Sequence, residues 1–304
     1  MRIPDIAPVN NDSDWAGAAE WLASPSDAPD LVVLGVPLSE IWSGGSSGAH
    51  ATPAAMRARM ARLSSYDSDH GAQLGELGVF DAGDLTPQPS HDAIRAGVGS
   101  LPDAKLRVLI GGDSGLTYPA FTELAGDSLS AWGIVSLDAY HDADPYEDRP
   151  GSRSVARALV DAGLPGDQIV QVGIGGFSNS ADSRRWCDDQ DVDVITMAEA
   201  RFGSVEDVLV EALDRLAMSV DHVYVNLDFN VMDRAFAPAC RGAHPGGFKS
   251  RELLAAAFIA GRHPHVRAVD IVEVDATADV ADMTVDLAAL CLLNVASGLY
   301  DRIF

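Results

Sequence analysis

Two stretches decide the fold of this chain: Ser136-Leu137-Asp138-Ala139-Tyr140-His141-Asp142 and Asn226-Leu227-Asp228-Phe229-Asn230-Val231-Met232-Asp233. Each begins as an apolar run typical of a buried strand and ends in carboxylates. In an open α/β sheet, the carboxyl ends of the strands line one crevice, and ligands bind there. Aspartates gathered at such an edge repel one another unless a cation lies between them. The two stretches therefore predict an α/β sheet with an acidic, cation-binding edge.

Working outward, strand and helix patterns alternate along the whole sequence. Most of the apolar runs are continuous in Val, Ile and Leu, as expected of parallel strands covered on both faces. We predict eight strands, at Leu31–Val36, Leu77–Phe80, Leu106–Gly111, Ala131–Asp138, Gln168–Ile174, Val192–Met197, His222–Asp228 and Val266–Val274. Helices are predicted to begin at Thr52, Ser90, Ser204 and Ser250, and a long apolar helix from Thr284 to about Tyr300 closes the chain. The alternation predicts one domain over residues 1–304, a doubly wound α/β fold with most strands parallel.

The composition indicates which binding partners and which cellular compartment to expect. The net charge of −24 predicts repulsion of nucleic acid and of anionic membranes, and attraction of small cationic molecules. The three cysteines, Cys187, Cys240 and Cys291, form neither a disulfide framework nor a CxxC metal site. The first residues, Met1–Asp5, lack the apolar core of a signal peptide. These features favour a cytoplasmic protein with no membrane and no nucleic-acid partner.

Short motifs stand in a fixed order along the chain: Leu34–Pro37, Gly48–Arg57, Ala82–Asp84, Leu109–Ser114, Asp138–Asp142, Asp228–Asp233, Pro245–Glu252 and Asp270–Val274. In this order they resemble the motifs of the ureohydrolases, the arginase and agmatinase family. The resemblance covers nearly the whole chain and implies an arginase-like three-layer α/β/α fold with an eight-stranded, mostly parallel sheet. It also implies a homo-oligomer, because the family commonly forms trimers and hexamers.

The resemblance implies a chemistry as well. In the family, two manganese ions activate a water that attacks the carbon of a guanidinium or amidine group. The first metal would take the positions held here by Ser114, Asp138, Asp142 and Asp228. The second would take the positions of Asp138, Tyr140, Asp228 and Asn230.

Every imidazole ligand of the family is therefore an oxygen side chain here, at Ser114 and Tyr140. Oxygen-only sites suit hard cations such as Mg²⁺ and Ca²⁺, whereas imidazole suits transition metals. The substitutions argue against a full two-manganese cluster. We expect either no metal or one divalent cation (Mn²⁺, Mg²⁺ or Ca²⁺), with Asp138, Asp142 and Asp228 as its ligands. The alternative for the three aspartates is that they only form the turns after their strands.

Other residues complete the predicted site. The resemblance assigns Glu273 to the substrate guanidinium. We further predict Tyr140 and Asn230 as substrate contacts and place Asp142 and Glu273 in the catalytic group. His141 is the candidate for proton transfer. Three arrangements stay open for it: a general base, an exposed loop residue, or a metal ligand brought in by a one-residue bulge, with Asp144 then replacing Asp142. Tyr140 is either a site hydroxyl or an aromatic cap over the pocket.

Two classes of function follow. In the first, the protein hydrolyses a C–N bond of a guanidino, amidine or related cationic substrate, using a remodelled centre with one metal or none. In the second, it is a catalytically silent relative that binds a ligand or pairs with an intact subunit. A third interpretation is a different reaction, in which the acidic pocket holds a substrate amine directly.

Overall fold

Eight parallel strands form the central sheet of this protein, as the computed structural model shows for residues 16–39, 41–42 and 45–304. The amino-terminal residues Met1–Asp5, considered above as a targeting segment, lie outside the described residues. The strands are β1 Leu31–Val36, β2 Ile41–Trp42, β3 Gly45–Ser46, β4 Val79–Asp84, β5 Leu106–Gly111, β6 Trp132–Leu137, β7 Ile169–Ile174, β8 Asp193–Thr196, β9 His222–Asp228 and β10 Val266–Val272. The central sheet has the order β4-β1-β5-β10-β9-β6-β7-β8, and β2 pairs with β3 as a separate antiparallel ribbon.

Helices cover both faces of the sheet and give the three layers that the sequence predicts. The α-helices are α1 Ala18–Leu22, α2 Thr52–Met60, α3 His91–Gly99, α4 Thr117–Ala125, α5 Val155–Asp161, α6 Ala181–Asp189, α7 Met197–Ala200, α8 Val205–Ala217, α9 Ser250–Arg262 and α10 Met283–Ile303. One apolar core joins the sheet to α1, α2, α8, α9 and α10. A second core joins the opposite face to α3, α4, α5 and α6. The three-layer α/β/α architecture with an eight-stranded sheet that the sequence predicts is thus confirmed.

The predicted strands agree with the observed ones to within two residues at each end, except at the edge strand β4. Leu31–Val36, Leu106–Gly111 and His222–Asp228 have the predicted bounds. The strand predicted at Leu77–Phe80 instead runs from Val79 to Asp84. Its polar end was missed because β4 is an edge strand, in which Asp81 pairs with Arg57 at 2.7 Å rather than entering the core.

Helix α10 is 21 residues long and apolar enough to cross a membrane by length and composition. Most of it is buried inside the protein, where it packs against α9 and α2. A core helix of a folded domain has the same composition as a membrane span, so its burial here identifies α10 as a core helix.

Candidate metal centre

The four central strands of the sheet, β5, β10, β9 and β6, are neighbours, and the predicted site residues follow their carboxyl ends. Leu137 of β6 pairs with Leu227 of β9, so the next residues, Asp138 and Asp228, leave the sheet side by side. Asp228 also pairs with Val272 of β10, which places Glu273 beside them. The register of three parallel strands therefore gathers the carboxylates at one edge.

Asp138, Asp142 and Asp228 form the centre of the site. One carboxylate oxygen from each lies within 4.8 Å of the others, which is close enough for a single ion to touch all three. Asp138 and Asp228 are buried, at 1% and 0% exposure. Among the described residues, neither Asp138 Oδ2 nor Asp228 Oδ2 has a hydrogen-bond donor. Buried carboxylate oxygens that lack donors are costly, so their presence indicates a place for a cation.

The protonation of the cluster reflects the same burial. Removal from water raises the pKa of Asp138 to about 7. Burial and repulsion from Asp138 and Glu273 raise the pKa values of Asp142 and Asp228 well above the usual range. A divalent cation would reverse this situation, because an adjacent positive charge favours the ionised form of a carboxylate. The donor set of three carboxylates fits one hard divalent cation.

Two of the site carboxylates sit on strained backbone. Asp142 has a φ of 47° and Glu273 a φ of 66°, both in the left-handed region that side chains other than glycine seldom adopt. Such strain persists only where the surrounding structure imposes it, and it clusters at binding and catalytic sites. Glu273 is held in place by the backbone N–H of Ser114, which donates to Glu273 Oε1 at 2.8 Å. The strain indicates that these carboxylates are aimed into the site.

The positions that hold the second metal in the resemblance are engaged with protein atoms instead. The Tyr140 hydroxyl is 2.9 Å from His244 Nε2 and 3.2 Å from the Gly242 carbonyl oxygen, to which it donates. Asn230 Oδ1 accepts from the buried Cys240 thiol at 3.2 Å. Burial raises the pKa of Tyr140 to about 12 and that of Cys240 well above its usual range, so both stay neutral. Neutral hydroxyl, amide and thiol groups are weaker ligands than the imidazole and carboxylate that the family has at these positions.

Gly242 makes this arrangement sterically feasible. A Cβ at residue 242 would lie 2.0 Å from Asn230 Oδ1 and 2.9 Å from a ring carbon of Tyr140. Only glycine permits so close an approach of the backbone. The loop after β9 is therefore built around Tyr140 and Asn230 as they stand here.

His141 is buried in the protein interior and hydrogen-bonded to Gln171. It is 2% exposed, and its Nδ1 is 2.7 Å from Gln171 Oε1, while Gln171 Nε2 donates to the His141 carbonyl at 2.7 Å. The expectation that His141 is an exposed loop residue was wrong, because its ring is buried and hydrogen-bonds to Gln171 on β7. The bulge was also wrong: Asp142 stands in the cluster, while Asp144 pairs with Arg153 at 2.5 Å. His141 does not line the cavity described next, so we do not assign it the proton transfer expected from the sequence.

A cavity of about 370 Å³ opens above the cluster. Of the predicted residues, Ser114, Tyr140, Asp142, Asn230 and Glu273 line it. Asp144, the alternative carboxylate of the sequence analysis, also lines it, and residues that the sequence did not single out complete its wall: Ser152, Arg153, Ser178, Asn179, Ser180, Ser183, Arg241 and Gly242. They come from the loops after β6, β7 and β9. Their only signal in the sequence was that each loop follows a strand whose end points to the crevice.

Comparisons with known proteins agree with this geometry. Residues 29–297 match the sequence model of the Arginase family, so this chain belongs to that family. A formimidoylglutamase of Halalkalibacterium halodurans is 33% identical over 276 residues, which cover 88% of this chain and 86% of the relative. The crystal structure of formimidoylglutamase from Bacillus subtilis has a TM-score of 0.89 at 27% identity, covering 99% of this chain and 98% of that one.

A Trypanosoma cruzi formiminoglutamase crystallised with Mn²⁺ shares the fold. Its TM-score is 0.87 at 21% identity, with 95% of this chain and 100% of that chain covered. The arginase-like fold predicted from the sequence motifs is thus present over almost the full length of the chain.

Proposed function

We propose that this protein is a cation-dependent hydrolase of small amidino compounds that works with one divalent ion held by Asp138, Asp142 and Asp228. The observation that carries the proposal is the pair of buried oxygens, Asp138 Oδ2 and Asp228 Oδ2, that lack a donor among the described residues and lie in a cluster one ion can span. Membership of the arginase family and the formimidoylglutamase relatives support the amidino substrate. The Mn²⁺ in the trypanosomal protein supports manganese as the first ion to test.

The residues around the cluster have separate proposed roles. A bound divalent ion supplies an activated water and charge stabilisation for attack on an amidine carbon. Glu273 accepts hydrogen bonds from the amidinium N–H groups, because its carboxylate lines the cavity and is aimed there by the Ser114 amide. The neutral Tyr140 hydroxyl, which also lines the cavity, orients the leaving nitrogen.

A second candidate function is a catalytically silent family member that still binds the cation and an amidino ligand. The observation that favours it is the engagement of Tyr140 and Asn230 with His244 and Cys240, since these neutral side chains occupy the family's positions for the second metal. The two candidates share the cation site and differ only in turnover.

One experiment separates them. We would measure the metal content of protein purified without added metal, then assay release of the amine product from a panel of amidino and guanidino compounds with Mn²⁺, Mg²⁺ or Ca²⁺. Turnover in the wild type that is lost in Asp228→Asn supports the hydrolase. Bound cation with no turnover over the whole panel supports the silent member, and the absence of any bound cation contradicts both.

A restored variant sharpens this test. Ser114→His, Tyr140→His and Asn230→Asp together return the family's ligand types to the centre. We expect the bound metal to rise from one ion per chain to two, because imidazole and a fourth carboxylate supply the missing donors. Retention of a single ion would show that Gly242 and its loop, rather than the three ligand identities, exclude the second cation.

A further inference from the structure

Another cavity, of about 660 Å³, opens at the opposite edge of the central sheet, where the parallel strands begin. Its wall includes residues within one position of the starts of β1, β5, β6, β9 and β10: Asp30, Lys105, Arg107, Trp132, His222 and Arg267. The metal centre follows the carboxyl ends of four of these strands. Because the strands are parallel, their length separates this cavity from the carboxylate cluster.

Arg267 reaches this cavity from an irregularity in β10. Val223 and Tyr224 are consecutive residues of β9. Their partners on β10 are Val266 and Ala268, which are two positions apart, so Arg267 is an extra residue between two paired ones. Bulges of this kind are rare between parallel strands, and they re-aim side chains next to functional sites. The bulge in β10 falls on the residue of that strand that borders the cavity.

Among the described residues, the guanidinium of Arg267 has no carboxylate within ion-pair distance and no hydrogen-bond acceptor. A charged neighbour is Arg302 on α10: burial, and then the positive charge of Arg267, lower the pKa of Arg302. Within the same part of the chain, Arg302 donates to the backbone carbonyl oxygens of His263, Val266 and Lys105 at 3.0, 3.2 and 3.3 Å, and no carboxylate pairs with it. Two neighbouring guanidiniums thus lack a carboxylate from the described residues, in a chain with 45 acidic residues and 21 basic ones.

The other charged side chains of the cavity wall form two ion pairs. Lys105 Nζ pairs with Asp30 Oδ1 at 2.8 Å. Arg107 Nη2 pairs with Asp103 Oδ1 at 3.3 Å. Each pair is neutral overall, so the two guanidiniums described above remain as a surplus of positive charge. Like charges partly withdrawn from water repel each other, and an anion beside them removes that cost. The surplus of two charges favours a dianion.

We infer that this cavity is a phosphate-binding site, in which Arg267 donates to the oxygens of a phosphate dianion and the positive charge of Arg302 supports it. A guanidinium presents its N–H donors in a planar fork that matches two phosphate oxygens. The dianion balances the surplus of two charges, which a monocarboxylate does not. The volume of about 660 Å³ also admits a small group esterified to the phosphate. The site does not depend on the proposed hydrolase function.

The test is titration calorimetry of the full-length protein at fixed ionic strength and about pH 8, where phosphate is largely dianionic. The probes are inorganic phosphate, glycerol 3-phosphate and acetate, which is a monocarboxylate. The variants are Arg267→Met and Arg267→Lys, with Arg184→Met as the matched control. Arg184 lies on α6, pairs with Asp188 at 2.9 Å and does not border the cavity, so its replacement removes the same charge elsewhere.

We expect the wild type to bind phosphate more tightly than acetate. Arg267→Met should lose about tenfold to a hundredfold in phosphate affinity, as expected for one charged hydrogen-bonding group. Arg267→Lys should retain part of the affinity, because it keeps the charge without the fork. Arg184→Met should bind as the wild type does. Tighter binding of glycerol 3-phosphate than of inorganic phosphate identifies a phosphorylated small molecule as the ligand, and the reverse order identifies free phosphate.

Thermal melting gives an independent readout. Without phosphate, Arg267→Met should melt no lower than the wild type, because the repulsion between Arg267 and Arg302 is removed. Added phosphate should raise the melting temperature of the wild type and of Arg184→Met, but not that of Arg267→Met.

The inference is overturned if the wild type does not bind phosphate, if Arg267→Met binds phosphate as tightly as the wild type, or if acetate binds as tightly as phosphate. Should Arg267→Met fail to fold, which the loss of its melting transition would show, Lys105→Met decides. The Lys105 side chain is 48% exposed, and its replacement leaves the charge of Asp30 on the cavity wall. Phosphate affinity must then fall in Lys105→Met, and an unchanged affinity overturns the site.

Discussion

Asp270 and Asp228 are buried carboxylates in the adjacent strands β10 and β9, yet the protein treats them in opposite ways. Asp270 accepts from the Tyr224 hydroxyl at 2.9 Å, the Thr117 hydroxyl at 2.6 Å and the Asn226 amide at 2.6 Å. Both of its oxygens are thus satisfied inside the sheet. A buried polar network that is complete in this way holds its neighbours in a single arrangement.

Asp228, at the end of β9, has a hydrogen-bond donor for one of its two carboxylate oxygens among the described residues. Its Oδ1 accepts from the Asn230 amide at 2.7 Å, while Oδ2 has no donor in the part of the chain that the structure describes. Two more carboxylates stand within 4.8 Å. The difference between the two aspartates is that the carboxylate of Asp270, with donors on both oxygens, supports the fold, whereas the carboxylate of Asp228 is a ligand of the proposed cation.

The largest effect is expected from Asp228→Asn. Loss of the central carboxylate should weaken Mn²⁺ binding by about a hundredfold, since a charged contact contributes up to about 3 kcal/mol. Titration calorimetry measures the affinity directly. The metal-free variant should be at least as stable as the wild type, because repulsion within the cluster is relieved. Unchanged Mn²⁺ affinity would place the ion elsewhere.

Asp270→Ala should show the opposite pattern. It leaves three buried donors without their acceptor, so we expect the free energy of unfolding to fall by about 3 kcal/mol. Urea denaturation monitored by circular dichroism measures this loss. Mn²⁺ affinity should stay within about threefold of the wild type, because the cluster is not touched. An Asp270→Ala variant that folds normally but loses the cation would show that Asp270 supports the metal site rather than the fold.

The pH dependence of Mn²⁺ binding tests the carboxylate cluster further. Asp138 has a pKa of about 7 in the folded protein against 3.8 ordinarily, so metal-free folded protein holds a proton that the unfolded chain releases. That contribution to stability is fully present below pH 3.8 and is lost as the pH rises through about 7. Mn²⁺ must displace this proton, and its binding therefore strengthens over the same range.

The measurement is the rise in melting temperature on adding Mn²⁺, taken at about pH 5.5 and about pH 8. We expect a clearly larger rise at the higher pH, and a weaker pH dependence in Asp138→Asn. An equal rise at both pH values in the wild type would mean that Asp138 carries no proton in the metal-free protein.

The smallest effect is expected from Ser114→Ala. Ser114 occupies a ligand position of the resemblance, but it is the backbone N–H of Ser114 that holds Glu273. Alanine keeps that amide, so the Mn²⁺ affinity should change by less than about threefold. A loss of tenfold or more would show that the hydroxyl oxygen itself binds the ion.

Much of the fold could be predicted from the sequence, because continuous Val/Ile/Leu runs mark buried parallel strands and the motifs keep their order. The carboxylate cluster was also predicted, since Asp138 and Asp228 follow strands that lie next to each other. Asp142 joined them through a turn that the family motif already contains.

The remainder of the site depends on contacts between distant segments. His141 turned inward because Gln171, 30 residues away, offers both an acceptor and a donor. His244 reaches Tyr140 across 104 residues of sequence, and Arg241 is fixed by Asp275 from another loop. No local period or spacing encodes such pairings, and only the packed loops reveal them.

Metal stoichiometry decides whether the strand-end carboxylates hold one ion. Protein purified without added metal should be loaded with Mn²⁺, freed of excess ion, and its metal counted by elemental analysis beside Asp228→Asn and Asp270→Asn. We expect one ion per chain in the wild type and in Asp270→Asn, and none in Asp228→Asn. Two ions per chain in the wild type, or an equal content in all three proteins, would contradict the single-cation centre.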